Sequence, residues 1–306
     1  MDLVQLRYFV RVAQLKSFTK ASKALHITQP ALTRQVLLLE EELNVALLYR
    51  HSRGVEPTEA GARLASGAES IFRAVQDVRA LVAESTSTVA GVLRIGFPPS
   101  LGGFVVGAAV QSFQRTYPDV RFELREGLSS DLQDHLLGDR LDIAILMRGA
   151  DFPLISVPLC VEDLWVVRPV GSKGTGESEC CTLDDLAHQA LIQPCSRQMV
   201  RQYLDSEASR LGITLNVIAE ADGLAITKDL VRRGVGAHIS PYSGIGADIK
   251  RGVFSGGPVK DLAISRYIAR RVDRPLTVAT AKFQEALLAT VHTLHLTDAA
   301  IRPMAA

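Results

Sequence analysis

The stretch from Ser17 to Glu42 reads SFTKASKALHITQPALTRQVLLLEEE, and its apolar spacing predicts two short helices joined by a tight turn. In the first helix, Ala21, Ala24 and Leu25 are expected to share one face, with a start signal at Thr19. Two helices joined in this way form a helix-turn-helix, whose second helix enters the major groove of DNA.

The second helix begins with side chains suited to DNA. Thr28 is a favourable N-cap, and Pro30 occupies the first turn, where its missing N–H has no cost. Amide, hydroxyl and guanidinium groups read base edges or bind phosphates. We therefore predict that bases are read by Gln29, Pro30, Thr33 and Arg34, and that phosphates are contacted by Thr28, Lys20 and Arg50.

Further elements follow directly along the chain. Asn44 stands where a residue in left-handed conformation ends a helix, and 47–50 with 54–57 predict a short hairpin, the wing. Arg53 at the tip of this wing is a further candidate for minor-groove or phosphate contact. Thr58 is expected to cap a long helix with a heptad seam of apolar residues, namely Leu64, Ala68, Ile71, Val75, Val78 and Val82.

From Val92 onward the pattern changes to alternating strands and helices, which predicts a parallel sheet covered by helices on both faces. Strands are expected at 93–97, 120–125, 141–147, 155–161, 164–170, 191–192, 215–220, 235–239 and 262–268. One helix is expected to end near Tyr117. Four more are expected at 129–137, 197–211, 223–233 and in the segment that follows Pro275. The whole chain is thus of the α/β class with a head rich in helix.

Four segments together carry a resemblance to a known family: Leu6-x-x-Phe9, SFTKASKALHITQPALTRQV, LEEELNVALLYR and PTEAG. In this order, without gaps from about Leu3 to Gly61, they resemble the N-terminal domain of LysR-type transcriptional regulators, with features of the nitrogen-assimilation-control branch. The resemblance implies a winged helix-turn-helix DNA-binding domain at 1–58, a linker (dimerisation) helix and hinge at 59–90, and an effector-binding domain at 91–306. The effector domain would have two subdomains like a periplasmic binding protein, I at about 91–163 and 267–306 and II at about 164–266. The implied partners are double-stranded promoter DNA, a small-molecule effector, a dimer of dimers of the chain itself, and RNA polymerase.

An effector site is expected where parallel strands end and helices begin, because helix N-termini bind anions such as carboxylates. The resemblance places effector contacts at Ser100, Ser129 and Ser196, and each of these serines is also a candidate N-cap. Further candidates near the same strand ends are Gly127, Met147, Arg197 and Gly223.

Two alternatives remain open at this stage. Cys195-Ser196-Arg197 resembles the sensing segment of peroxide-responsive regulators, but Leu204 occupies the position of the resolving cysteine. The hypothesis of a redox-responsive regulator therefore depends on the adjacent pair Cys180-Cys181. A solute-binding role for the α/β portion is the alternative from another class.

Composition narrows the function further. Charged residues make up 22% of the chain and the net charge is +1, so the chain as a whole is not strongly basic. The predicted basic face is therefore confined to the N-terminal region. No acid–base pair, nucleophile constellation or metal-ligand spacing is evident, which predicts neither an enzyme nor a cofactor. Because no signal peptide or membrane-length apolar run occurs, we expect a cytoplasmic protein without membrane contact.

Overall fold

The computed structural model describes residues 1–51, 54–83, 89–171 and 180–304, and within the long helix it leaves the side chains of 76, 77 and 79–83 undescribed. The chain divides into two compact units, Met1–Ser85 and Thr86–Ala306. The wing tip with Arg53 and most of the predicted hinge lie outside the described residues.

The first unit contains three helices, a hairpin and a long helix. They are α1 (Leu3–Leu15), α2 (Phe18–Leu25), α3 (Gln29–Leu43), β1 (Leu48–His51), β2 (Gly54–Pro57) and α4 (Glu59–Ala83). The predicted helix-turn-helix and wing are therefore present. Their core is formed by fully buried side chains from α1, α3 and the wing, among them Phe9, Leu32, Val36, Leu39 and Leu47.

Some local predictions about α2 and α3 were wrong. Helix α2 starts two residues earlier than expected, because Ser17 rather than Thr19 is its N-cap and accepts a hydrogen bond from the N–H of Lys20 at 3.3 Å. Ala24 is exposed, since only Ala21 and Ser22 of this helix are buried. Thr28 occupies the N-cap position of α3, but its side chain makes no capping hydrogen bond.

Asn44 ends α3 as predicted, with a left-handed φ of 50°. Helix α4 is capped by Thr58, whose Oγ1 accepts from the N–H of Gly61 at 3.0 Å. Part of the heptad seam packs within its own unit, because Ala68 is buried and Leu64 is packed against the same core. Ile71 and Val78 are exposed on the same helix, so these seam positions are open to a partner.

The second unit alternates strands and helices. Its strands are β3 (Gly91–Phe97), β4 (Val120–Glu126), β5 (Ile143–Leu146), β6 (Leu154–Pro169), β7 (Leu191–Gln193), β8 (Val217–Glu220), β9 (His238–Pro241), β10 (Phe254–Arg271) and β11 (Ile301–Pro303). Its helices are α5 (Pro99–Leu101), which continues through a π-helical turn (Gly102–Val106) into α6 (Gly107–Thr116), then α7 (Ser129–Leu137), α8 (Leu183–Ala187), α9 (Met199–Arg210), α10 (Leu224–Arg232), α11 (Gly246–Lys250) and α12 (Val278–Thr297). A 3₁₀ turn (Tyr242–Gly244) follows β9.

The main sheet is mixed rather than parallel, which corrects the prediction. Its strand order is β11-β6-β10-β5-β3-β4, and β9 also pairs with β6. Strand β3 is parallel to β4 and β5, whereas β10 is antiparallel to both β5 and β6. The parallel part of this sheet is confined to β3, β4 and β5, because β10 joins β5 in antiparallel orientation and β6 joins β10 in the same way.

Strand β6 replaces the two strands predicted at 155–161 and 164–170. The chain does not turn at Glu162-Asp163, because both residues remain paired with β10 at Ile264 and Ala263. The short elements α8, α11 and β11 were not predicted. Strand β11 pairs with β6 through Ile301, so the chain continues beyond the last helix into the sheet.

Hydrophobic clusters lie on both halves of this unit. One packs Leu93, Ile95 and Phe283 together, and another gathers residues of β6, α9 and β9 around Leu164. Trp165 is partly buried, with its ring 4.8 Å from that of Tyr242. Among the helices described, none is long and apolar enough to cross a membrane.

Candidate functional site

The first residues of α3 form the candidate DNA-reading surface. Gln29, Pro30 and Arg34 are exposed, and Thr33 is half-buried. Thr19 Oγ1 donates to Gln29 Oε1 at 2.8 Å, so the amide is oriented by the preceding helix and its NH₂ group remains available as a donor. Pre-orientation lowers the entropic cost of a base contact.

The residues expected on phosphates differ in their surroundings. Lys20 and Thr28 are exposed on α2 and at the start of α3. Arg50 instead lies 3.2 Å from Glu40 and 5.4 Å from the centre of the Phe18 ring. Glu40 also accepts the backbone N–H groups of the first wing strand, so Arg50 has a structural partner at the base of the wing.

The second unit contains a cavity of about 280 Å³. Five of the predicted effector residues line it, namely Ser100, Gly127, Ser129, Met147 and Arg197. The remaining lining is largely apolar and includes Met199, Val200, Leu224, Ile239 and several prolines. The sequence-predicted residues therefore converge on one site although they come from distant segments.

Two predicted residues, Ser196 and Gly223, are not among the described residues that line the cavity. Helix α9 begins later than expected, with Gln198 as N-cap, so Ser196 lies in the preceding turn and is exposed. Gly223 is the N-cap of α10, and its carbonyl accepts from the Thr227 hydroxyl at 3.0 Å. The neighbours of both residues line the cavity in their place.

None of the three predicted serines is an N-cap. The N-cap positions of α5, α7, α9 and α10 are held by Pro98, Leu128, Gln198 and Gly223, and none of these residues makes a side-chain capping bond. Within the second unit, Thr182 and Thr277 cap α8 and α12, and neither residue is among those that line the cavity. The cavity is thus bordered by helix starts whose first N–H groups lack side-chain acceptors, and this arrangement attracts an anion.

The sequence analysis missed an arginine at the cavity. Arg266 on β10 is 2% exposed, lines the cavity, and donates from Nε to Glu162 Oε1 on β6 at 2.6 Å. Its Nη2 also donates to Ser100 Oγ at 3.2 Å. The available signal was the strand period of two, which places Arg266 on the same buried face as Ile264 and Ile268. A charge on such a face requires a partner.

His238 on β9 is a second cavity residue that the sequence did not indicate. It is 5% exposed, and its Nδ1 lies 2.8 Å from the Ile192 carbonyl oxygen. Burial lowers the pKa of His238 to about 4, so the imidazole is neutral near neutral pH.

The cysteines are not arranged as a thiol pair around the cavity. Cys160 and Cys181 are buried, and burial raises the pKa of the Cys160 thiol to about 12. Cys180 is exposed, and the backbone N–H of Cys195 donates to Asp222. Leu204, at the position where a resolving cysteine would be needed, is fully buried.

Two family descriptions match the chain. Residues 3–62 match the bacterial regulatory helix-turn-helix protein, lysR family, and residues 86–291 match the LysR substrate binding domain. Together they span the surface of α3 and the cavity described above.

Individual relatives agree with this match. The nitrogen assimilation regulatory protein nac of Klebsiella aerogenes is 31% identical over 245 residues, which cover 79% of each chain. The DNA-binding transcriptional dual regulator OxyR of Escherichia coli (strain K12) is 27% identical over 252 residues, covering 82% of each chain. Among solved structures, full-length CbnR complexed with its target DNA matches with a TM-score of 0.72 and 20% identity, covering 95% of this chain and all of that one.

Proposed function

Because this chain belongs to the LysR family of DNA-binding transcriptional regulators, we propose that a small carboxylate bound in the cavity of its second unit controls how it binds promoter DNA. Members of this family are regulators and not enzymes, and they bind promoter DNA and effector ligands. The proposal concerns the effector class and the residues involved, and it assigns the protein to the cytoplasm, where promoter DNA is found.

The convergence of uncapped helix starts on the cavity carries this proposal. The starts of α7, α9 and α10 border the cavity through Leu128, Gln198 and Leu224. Their first N–H groups, which no side chain caps, favour a negative charge, since a carboxylate accepts hydrogen bonds and does not donate them. The apolar remainder of the lining favours an organic acid over an inorganic anion.

On DNA, we propose that Gln29, Pro30, Thr33 and Arg34 read the major groove, with Lys20 and Thr28 on phosphates and Arg53 working from the wing. The exposure of Gln29 and Arg34 at the start of α3 supports this assignment. Arg50 would assist as a wing support, because Glu40 and Phe18 hold its side chain.

The proposed assembly is a homotetramer, a dimer of dimers, in which α4 pairs two subunits. Exposed Ile71 and Val78 on the heptad seam support a helix pair of this kind. Effector binding would favour one arrangement of the two subdomains, of which the first covers about 91–163 and 267–306 and the second about 164–266. This change would alter the spacing of the DNA-reading heads and the access of RNA polymerase to the promoter. The linker helix and hinge at 59–90 would transmit the change.

Footprinting on the DNA upstream of the protein's own coding region tests DNA reading. Wild-type protein should protect an inverted repeat, and Gln29→Ala should weaken protection by about 1–3 kcal/mol. Gln14→Ala, an exposed glutamine on α1, is the matched control and should leave protection unchanged. Equal protection by Gln29→Ala and wild type at every protein concentration would contradict the proposed reading helix.

A second comparison separates phosphate and base contacts from general charge. Arg34→Ala should weaken DNA binding, whereas Arg63→Ala, which removes an exposed arginine paired with Glu59 on α4, should not. If Arg34 contacts a phosphate, its loss should also lower the slope of log affinity against log salt by about one.

The effector class is tested by thermal shift and footprinting with a broad panel of small carboxylates. At least one should raise the unfolding temperature of the wild type and change the length of the footprint. Ser129→Ala should weaken that response, and Ser209→Ala, an exposed serine on α9, should not. If none of the carboxylates bound, the proposed effector class would be wrong while the DNA-binding assignment stood.

A further inference from the structure

Hydrogen-bond partners fix which cavity side chains can donate to a ligand. Ser100 Oγ lies 3.2 Å from Nη2 of Arg266, and a guanidinium only donates, so the serine oxygen accepts in this bond. Ser129 Oγ accepts from the backbone N–H of Met147 at 3.4 Å. In both serines the hydroxyl proton is therefore left for another acceptor, and both side chains line the cavity.

His238 supplies the opposite polarity. The Ile192 carbonyl oxygen only accepts, so Nδ1 of His238 carries the proton of the neutral ring and Nε2 has a free lone pair. Within the described part of the chain, no residue forms a hydrogen bond with Nε2. This nitrogen is also not among the fully buried side-chain atoms that lack a partner, such as Nδ1 of His135. Since His238 lines the cavity, Nε2 is the acceptor that its ring can offer to a ligand there.

Another acceptor at the cavity is already engaged. The carboxylate of Asp222 accepts from the N–H of Cys195 at 2.9 Å and from Nε2 of Gln198 at 3.0 Å. It thus fixes the turn that precedes α9. Nε2 of His238, being neutral and without a partner, is better placed to select a ligand donor.

We infer that the effector is a small carboxylic acid that also carries a hydroxyl or amino donor: its carboxylate accepts from Ser100 and Ser129, and its donor binds Nε2 of His238. This inference rests on the proposed function, because it takes the cavity to be the effector site. The apolar lining from Met147, Met199 and Leu224 surrounds the body between the two polar ends. A cavity of about 280 Å³ suits a body of roughly one substituted ring.

The direct test uses matched probes on the full-length protein. Binding of benzoate, the three monohydroxybenzoates and the three corresponding methoxybenzoates is measured by titration calorimetry. At least one hydroxybenzoate should bind about five- to tenfold more tightly than both benzoate and its own methoxy counterpart, because only the hydroxyl donates to Nε2. No altered protein is needed for this comparison.

His238→Asn tests the residue itself. The asparagine NH₂ can replace Nδ1 as donor to the Ile192 carbonyl, whereas the Nε2 acceptor is removed. We expect the affinity advantage of the hydroxybenzoate over benzoate to disappear in this variant. Tryptophan fluorescence confirms folding, and should the variant not fold, the probe series on wild type still decides.

Distinct outcomes separate the inference from the function on which it rests. Methoxy and hydroxy compounds of equal affinity would overturn the inference, as would a hydroxy advantage that survives His238→Asn. If no benzoate bound but another simple carboxylate did, the inference would fall and the proposed function would stand. If no carboxylate bound, both would fall.

Discussion

Replacement of Gly61 by alanine tests how the wing is joined to α4. A Cβ at this position would lie 2.0 Å from the Leu47 carbonyl oxygen, whereas ordinary contacts begin at 3.4 Å. That oxygen accepts the N–H of Thr58 at 2.9 Å, and Thr58 Oγ1 in turn donates to Ala46 at 2.8 Å. The obstructing atom belongs to the backbone, so the wing strand itself must move.

The magnitude follows from these contacts. Overpacking against a backbone atom costs about 1–3 kcal/mol, and loss of the Thr58–Leu47 bond adds about 1 kcal/mol. We therefore expect Gly61→Ala to lower the local stability by about 2–4 kcal/mol. Gly67→Ala, six residues further along α4, is the matched control: a Cβ there has no atom within 4 Å, so this change should stabilise the helix by about 0.5–1 kcal/mol.

Hydrogen–deuterium exchange of the segment 45–62 measures the local opening free energy in the full-length protein. Gly61→Ala should speed exchange strongly and weaken DNA binding, while Gly67→Ala should slow exchange or leave it unchanged. If the two variants exchanged at equal rates, the reasoning from the close approach to Leu47 would be refuted.

Three further predictions concern the second unit. Glu162→Leu should lower the unfolding free energy by about 3–5 kcal/mol, because Arg266 is left buried without its carboxylate partner. Adding Arg266→Met should restore most of the lost stability. Urea unfolding followed by tryptophan fluorescence measures both changes. For His238 the folded-state pKa is below the unfolded value, so the unfolded chain takes up the proton at a higher pH than the folded protein does. The free energy of unfolding therefore falls with acidification. Between about pH 7 and about pH 5, the wild type should lose about 2 kcal/mol more than His238→Asn. Iodoacetamide should label exposed Cys180 much faster than Cys160, whose thiol is buried and has its pKa raised to about 12, as read by mass spectrometry; equal labelling of the folded protein would contradict this placement.

The helix-turn-helix was readable from the sequence because its signals are local. The spacing of apolar residues, Pro30 in the first turn and Asn44 at the end of α3 all act within a few residues of chain. The same signals misplaced the start of α2, since Ser17 and Thr19 are both good caps and only the path of the chain between α1 and α2 selects Ser17.

The candidate effector site was predicted in part. Ser100, Ser129 and Met147 lie at element ends that periodicity identifies, and they do line the cavity. Ser196 does not, because α9 starts two residues later than its sequence pattern indicates. Periodicity reports that a helix exists more reliably than where it begins.

The sequence by itself determined the DNA-binding head, most of the strands and helices, and the family, because these depend on short-range patterns and on four ordered motifs. Only the tertiary structure decided the mixed sheet and the polarity of the cavity. Arg266 meets Glu162 across 104 residues and Ser100 across 166 residues, and His238 meets the Ile192 carbonyl across 46 residues. Pairings at such separations leave no local periodicity to read, and they alone determine which cavity atoms donate and which accept.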